Sequence, residues 1–127
     1  MKALLKSFVL LFGAVCMCIA LVHIGYGPAS IPGSVPANAT MDSEDRFYAT
    51  LFLGFGAANI WCAQELGARG QFFRALMLVF FLGGVARLIS AVQVGAPSLL
   101  FVVLGSLELA LPPVLLWAQA KLHAPAA

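Results

Sequence analysis

The sequence predicts an all-α fold: an integral membrane four-helix bundle, antiparallel and up-down-up-down, with both termini in the cytoplasm. Two observations predict this class. Hydrophobic residues make up 62% of the 127 residues and charged residues only 9%, whereas a soluble domain carries roughly a quarter charged residues. The apolar residues also form four continuous runs rather than an alternating pattern, which favours membrane-spanning helices and excludes a barrel.

Each apolar run has about the 20 residues that an α-helix needs to cross roughly 30 Å of hydrocarbon. The first run follows Lys2 and Lys6. Because it is longer than the apolar core of a signal peptide and no convincing cleavage site follows it, we predict an uncleaved helix. We therefore predict a single transmembrane domain over residues 1–127, with helices at about 3–25, 46–65, 72–94 and 98–121.

The connections between the runs differ in length. About six residues around LGARGQ join the second and third helices, and GAP joins the third and fourth; such short turns favour antiparallel neighbours. The first connection, residues 26–45, is predicted as a Pro-rich periplasmic loop, because regularly spaced prolines prevent helix and favour extended backbone. These prolines are Pro28, Pro32 and Pro36. We expect Asp42 or Ser43 to be the N-cap of the second helix.

The basic residues predict the orientation of the helices in the membrane. With four crossings, one side of the membrane holds Lys2, Lys6, Arg69, Arg74 and Lys121. The opposite side holds Arg46 together with three acidic residues. The positive-inside rule then places both termini in the cytoplasm.

Arg87 in the third helix and Glu108 in the fourth are ionisable residues far from either membrane surface. Counted from the turn that joins the two helices, Arg87 lies roughly 12 Å deep and Glu108 roughly 15 Å deep. An unpaired charge at this depth costs at least about 2.5 to 3.5 kcal/mol, and a bidentate arginine–carboxylate pair removes much of that cost. We therefore predict that Arg87 pairs with Glu108, with Ser90 one turn away in the same polar centre.

Small residues and prolines refine this prediction. Gly83 and Gly84 beside Arg87, and Gly54 with Ala58 on the second helix, predict close helix packing. Two consecutive prolines in the fourth helix predict a kink near Glu108, because proline has no N–H to bond the carbonyl four residues earlier. They are Pro112 and Pro113. We expect Arg87 to bond both the carboxylate and the freed carbonyl of Glu108.

The segments RFYATLFLGFGAANIW and GGVARLISAVQVGAPSLLFVVLGSLELALP resemble a bacterial family of small four-helix membrane proteins, catalogued as the domain of unknown function DUF4345. The likeness runs from about residue 46 onward, and the first helix and Pro-rich loop match only in layout. Ala49 and Thr50 stand where the family pattern suggests glycines. The matching residues are Arg46, Phe47, Tyr48, Gly54, Gly56, Gly84, Arg87, Ser90, Gly95, Pro97 and Glu108. The resemblance implies a four-helix bundle in the inner membrane and implies no activity.

The leading functional hypothesis is a non-enzymatic accessory or scaffold protein that acts through helix contacts. The sequence contains no Ser-His-Asp set, metal-ligand cluster, phosphate-binding loop or pair of intramembrane carboxylates. We therefore expect no catalytic residues, no metal and no cofactor. The net charge of +2 and the lack of a basic, aromatic-rich stripe argue against a nucleic-acid partner. The expected partners are membrane lipid and either another membrane protein or further copies of the chain.

An alternative hypothesis is the binding or passage of a small amphipathic or anionic molecule, such as a lipid, quinone or metabolite. Arg87 and Glu108 would form the polar floor of its pocket, and Arg46 and Tyr48 would lie at the outer mouth. An intramembrane enzyme that uses Glu108 as an acid or base also stays open. The sequence leaves open whether the Arg87–Glu108 pair is structural or functional.

Overall fold

Four long α-helices and one short 3-10 helix account for most of residues 1–123, the part of the chain that the computed structural model describes. The helices are α1 (Lys2–Tyr26), the 3-10 helix (Gly27–Ser30), α2 (Ala39–Gln64), α3 (Gly70–Val94) and α4 (Leu99–His123). No strand occurs within these described residues. The predicted all-α class with four long helices is therefore confirmed.

Three of the helical segments are long and apolar enough to cross a membrane: Lys2–Ser30, Gly70–Val94 and Leu99–Leu122. The α2 helix is not among them, although four spans were predicted. Its first two turns carry four charged residues, and its more apolar part also contains the amide of Asn59, so its composition is less apolar than that of the other three. The crossing by α2 remains a prediction.

The first connection is shorter than the sequence predicts, because α2 begins at Ala39 rather than near residue 46. Asn38 supplies the N-cap: its side-chain oxygen accepts the Met41 N–H at 3.0 Å, and its carbonyl accepts the Asp42 N–H at 3.0 Å. The N-cap is thus Asn38 and not Asp42 or Ser43. The polar residues that follow form the first turns of the helix instead of a loop.

The chain divides into two compact units. One unit is Lys6–Gln64, which contains most of α1, the 3-10 helix and α2. The other joins Met1–Leu5 to the part of the chain from Glu65 to the end of α4.

In the first unit, α1 and α2 approach most closely at Gly13 and Gly56. A β-carbon added to either glycine would lie only 2.7 Å from the carbonyl oxygen of the other, so no larger residue fits at this crossing. Gly54, which was predicted to pack closely, makes no such contact within the described chain: it is exposed, and a β-carbon there would meet no atom within 4 Å. Residues two apart on a helix point about 200° apart, so Gly56 faces α1 and Gly54 faces away. Ala58 is partly exposed.

In the second unit, α3 packs along α4 with contacts that run in opposite order on the two helices. Gly70 lies against Gln119 and Gly84 lies against Leu109. A β-carbon on Gly84 would be 2.9 Å from Leu109 Cγ, so this glycine permits the close approach that was predicted. Gly83, by contrast, is exposed, and the nearest atom to its added β-carbon would be a Glu108 carboxylate oxygen at 3.9 Å.

The α4 helix continues without interruption through Pro112 and Pro113. Pro112 is buried and Pro113 is exposed. The helix therefore does not break near Glu108, and a bend of its axis there stays a prediction.

Candidate functional site

The Arg87 and Glu108 side chains meet between α3 and α4. The Arg87 Nε–H donates to both carboxylate oxygens of Glu108, at 2.9 and 2.8 Å. The two partners differ in exposure, because the Glu108 side chain is only 12% exposed whereas that of Arg87 is 43% exposed. The carboxylate is thus enclosed by the helix pair, and much of the guanidinium is not.

Two glycines make room for this ion pair. A β-carbon on Gly105 would lie 3.4 Å from Arg87 Cδ, and one on Gly84 would lie 3.0 Å from Glu108 Cβ. Each glycine stands one helical turn before the charged residue of its own helix and faces the charged residue of the other. The sequence prediction included Gly84 but missed Gly105, although its spacing of three residues from Glu108 is the same signal.

The rest of the Arg87 guanidinium lies over an aromatic ring. Its central carbon is 5.4 Å from the centroid of Phe101, which is a cation–π distance. The terminal nitrogens Nη1 and Nη2 make no hydrogen bond to any of residues 1–123. The predicted bond from Arg87 to the freed Glu108 carbonyl is therefore not formed, because the pairing goes through Nε and the guanidinium extends toward Phe101.

A groove of about 140 Å³ lies beside the ion pair, between α3 and α4. Its walls are mostly apolar. Among the described residues that line the groove, Arg87 is the only charged one. The groove is lined by Gly84, Arg87, Leu88, Ala91, Pro97, Phe101, Val102, Gly105, Ser106 and Leu109. The Ser106 hydroxyl donates to the Val102 carbonyl of its own helix at 2.8 Å. Among the polar residues that line the groove, Arg87 is therefore the one with N–H groups that have no hydrogen-bond partner in the described chain.

Ser90, predicted as part of the same polar centre, lies outside the groove. It is exposed, and its hydroxyl makes no hydrogen bond within residues 1–123. Ser90 is three residues from Arg87, and the groove lies instead on the side of α3 that carries Leu88 and Ala91. The structure therefore does not place Ser90 with Arg87 and Glu108.

Arg46 belongs to the other unit, where all its hydrogen bonds lie. Its Nε and Nη2 donate to the two carboxylate oxygens of Asp42, at 2.8 and 3.1 Å. Its Nη1 donates to the carbonyls of Ile24 and Gly25 at the end of α1, which lack helical partners of their own. The hydrogen bonds from Arg46 lower the pKa of the Asp42 carboxyl. Arg46 thus ties the end of α1 to the start of α2.

Tyr48, the other residue predicted at the outer mouth, is exposed. Its ring packs edge-on against that of Phe47, with centroids 5.5 Å apart. Arg46 and Tyr48 belong to the first unit, whereas Arg87 and Glu108 belong to the second.

One polar contact, between His23 and Asp45, was not predicted from the sequence. His23 Nδ1 lies 3.2 Å from each carboxylate oxygen of Asp45. Both side chains are partly buried, at 24% and 19% exposure. Together with Asp42 and Arg46, this pair explains why the charges near the start of α2 fold into a helix rather than a loop.

The fold and the site define an all-α protein in which three helices are apolar enough to cross a membrane and a helix pair carries a partly enclosed Arg–Glu ion pair. The chain belongs to the family described as Domain of unknown function (DUF4345), which matches residues 4–119. The match includes the first helix and the first connection, so it extends beyond the segments from residue 46 that carried the resemblance. No curated protein and no solved structure matches the chain.

Proposed function

We propose that this chain is a four-span protein of the bacterial inner membrane, with antiparallel helices and cytoplasmic termini, that binds a small amphipathic molecule beside Arg87. The distribution of basic residues supports the orientation. At the end of α4, the Lys121 ammonium lies 4.4 Å from the centroid of the Trp117 ring, and Trp and Lys side chains of this kind anchor helix ends at a membrane surface.

We propose that α2 is the fourth span and that its uncharged portion crosses the membrane. Residues 47–64 contain no charged side chain, and 18 residues at about 1.5 Å each cover roughly 27 Å. The acidic residues and Arg46 precede this portion and would stay at the outer surface.

One observation carries the binding proposal: a half-exposed arginine with unused donors at an apolar groove. Ligand sites are usually apolar with a few convergent polar groups, and an arginine within a membrane generally faces a partner or a cavity. The Glu108 side chain, which is only 12% exposed, holds Arg87 in place. The Nη1 and Nη2 atoms of Arg87 stay available to a ligand.

Native mass spectrometry of the protein released from lipid nanodiscs tests this proposal. We expect a retained small molecule on the wild type and its loss in Arg87→Gln. Arg74→Gln is the matched control, because Arg74 is an exposed arginine of the same helix and does not line the groove. Equal retention by Arg87→Gln and Arg74→Gln would contradict the binding function.

The second candidate is an accessory or scaffold protein that acts through helix contacts, and the open face of α2 favours it. Gly54 has no neighbour within 4 Å of an added β-carbon, and Leu51 and Trp61 are exposed on the same face. A partner helix at this face would meet a small residue flanked by larger apolar ones.

The molecular mass of the complex in mild detergent tests this second candidate. We expect an oligomer or a stoichiometric partner that Gly54→Leu disrupts. Gly25→Leu is the control, because Gly25 is an exposed helical glycine that also has no neighbour within 4 Å. A wild-type monomer without a partner would eliminate the scaffold role.

A further inference from the structure

We propose that the groove beside Arg87 takes a neutral carbonyl oxygen on an apolar body, such as a quinone ring or a fatty ester, in preference to a free anion. This inference rests on the proposed binding function and specifies the chemistry of its ligand. It follows from the charge of the ion pair, the unused donors of Arg87 and the size of the groove.

The site is already electrically neutral before a ligand binds. Arg87 and Glu108 supply one charge of each sign at hydrogen-bond distance. The nearest other ionisable residues along these two helices are Arg74 and Lys121, each about 20 Å away along its helix at about 1.5 Å per residue. In the described chain no third charge contacts the pair, so a bound anion would leave the site with a net negative charge.

The membrane penalises that net charge strongly. An uncompensated charge at this depth is disfavoured by a factor on the order of 100. A neutral acceptor avoids this penalty and still receives a hydrogen bond from a charged donor, which is stronger than a bond between neutral groups. The charge count therefore favours a carbonyl over a carboxylate or phosphate.

The unused N–H groups of Arg87 explain why the ligand needs an acceptor. Nη1 and Nη2 have no partner within residues 1–123, and a donor left in apolar surroundings is unfavourable. The guanidinium carbon already lies over the Phe101 ring, 5.4 Å from its centroid. A ligand oxygen at the edge of the guanidinium would satisfy these donors without displacing Glu108 or Phe101.

The groove limits the part of the ligand that is enclosed. The groove volume of about 140 Å³ is smaller than that of a site for a drug-sized ligand. It accommodates a head group, while a hydrocarbon tail would continue along exposed apolar residues such as Leu88 and Val102. An amphipathic molecule with a compact carbonyl head fits this shape.

The direct test compares two probes with the same twelve-carbon acyl chain: the neutral ester methyl laurate and the anion laurate. Native mass spectrometry titrations would use the full chain in dodecyl maltoside, a detergent without a carbonyl group, at about pH 9, where a free carboxyl is ionised. We expect the wild type to bind methyl laurate at least about tenfold more tightly than laurate. Decylubiquinone forms a third arm, and tighter binding of it than of methyl laurate would assign a ring carbonyl rather than an ester.

Two variants test the charge argument. Arg87→Gln should lose both neutral probes, whereas Arg74→Gln should retain them. Glu108→Gln leaves the site with a net positive charge and should reverse the preference, so that laurate binds more tightly than methyl laurate. The wild-type comparison needs no variant and stays decisive if Glu108→Gln fails to fold.

The outcomes separate this inference from the function on which it rests. If the wild type binds laurate as tightly as methyl laurate, and Arg87→Gln abolishes both, the neutral-ligand inference is overturned while the binding function stands. If none of the three probes binds the wild type, the neutral-carbonyl inference fails. If the wild type then retains another small molecule and Arg87→Gln does not, the binding function still stands. If no such molecule is retained, both the binding function and the neutral-carbonyl inference are overturned.

Discussion

The hydrogen bonds from Arg87 Nε to both Glu108 oxygens make these two residues dependent on each other. Removal of either one leaves the other as an unpaired charge between apolar helices, so each single change carries a cost that the double change avoids. We expect Arg87→Ala and Glu108→Ala to be non-additive in the free energy of unfolding, with a coupling of about 1 kcal/mol or more.

Unfolding titrations in mixed micelles measure this coupling through a double-mutant cycle. The control cycle pairs Arg74→Ala with Glu108→Ala, because Arg74 is exposed and has no contact with Glu108. Additive costs in both cycles would show that the ion pair contributes nothing to stability.

The adjacent glycines of α3 should respond differently to the same substitution. A β-carbon on Gly84 would be 2.9 Å from Leu109 Cγ, whereas one on Gly83 would have no neighbour nearer than 3.9 Å. Crowding of this kind costs about 1–3 kcal/mol, and alanine otherwise favours helix over glycine by about 1 kcal/mol. We expect Gly84→Ala to be less stable than Gly83→Ala in the same titrations, and equal stability would contradict the observed packing.

At the residue scale, the sequence predicts partners better than it predicts hydrogen bonds. Arg87 and Glu108 can be matched because a short turn joins their helices and sets both depths from one origin. Which guanidinium nitrogen donates depends on the side-chain conformation, and this is set by Gly105 and Phe101. Those contacts follow from the rotation of each helix about its axis, which sequence spacing alone does not determine.

At the scale of elements, the contacts of Arg46 with Asp42 and with the last carbonyls of α1 join two helices through one side chain. The pKa of Asp42 is lowered in the folded protein. Its ionised form therefore stabilises the fold above the unfolded pKa, which is about 3.9, and this contribution is lost as the pH falls through the folded pKa.

We expect Asp42→Asn to lower the thermal midpoint near pH 7 and to differ progressively less from the wild type below about pH 4. Glu44→Gln is the matched control, because Glu44 is an exposed acidic residue of the same helix and makes no ion pair in the described structure. A difference between wild type and Asp42→Asn that stays constant from pH 7 to about pH 3 would contradict the role of the ionised Asp42.

The start of α2 shows that a hydrophobicity pattern does not predict where a helix begins. The apolar run begins near Arg46, but the helix begins at Ala39 because Asn38 caps it and the following charges pair locally. Capping depends on a hydrogen bond to one side chain, whereas a run of apolar residues indicates only the part of a helix that lies in lipid or in the core. The glycines of α2 show the same limit, because spacing identifies small residues but not whether Gly54 or Gly56 faces α1.

At the scale of the whole molecule, the class follows from composition and the helix count from the four apolar runs, and the orientation depends on whether α2 crosses the membrane. Single cysteines, introduced into a variant that lacks Cys16, Cys18 and Cys62, test whether α2 crosses. Intact cells are labelled with a thiol reagent that does not pass through the membrane. We expect Ser34→Cys and Ala96→Cys to be labelled from outside, and Ala68→Cys only after permeabilisation. Labelling of Ala68→Cys in intact cells would mean that α2 does not cross.

The central claim is that the Arg87–Glu108 pair lies within the hydrocarbon and not at a water-exposed surface. A nitroxide label at Ala86→Cys, beside the pair, tests it most directly through collisions with oxygen and with a water-soluble nickel complex in lipid bilayers. A label at Val94→Cys, at the end of α3, provides the reference for the membrane surface. The account predicts that the label at position 86 is accessible to oxygen and shielded from nickel relative to position 94. Equal access of nickel to both labels would contradict it.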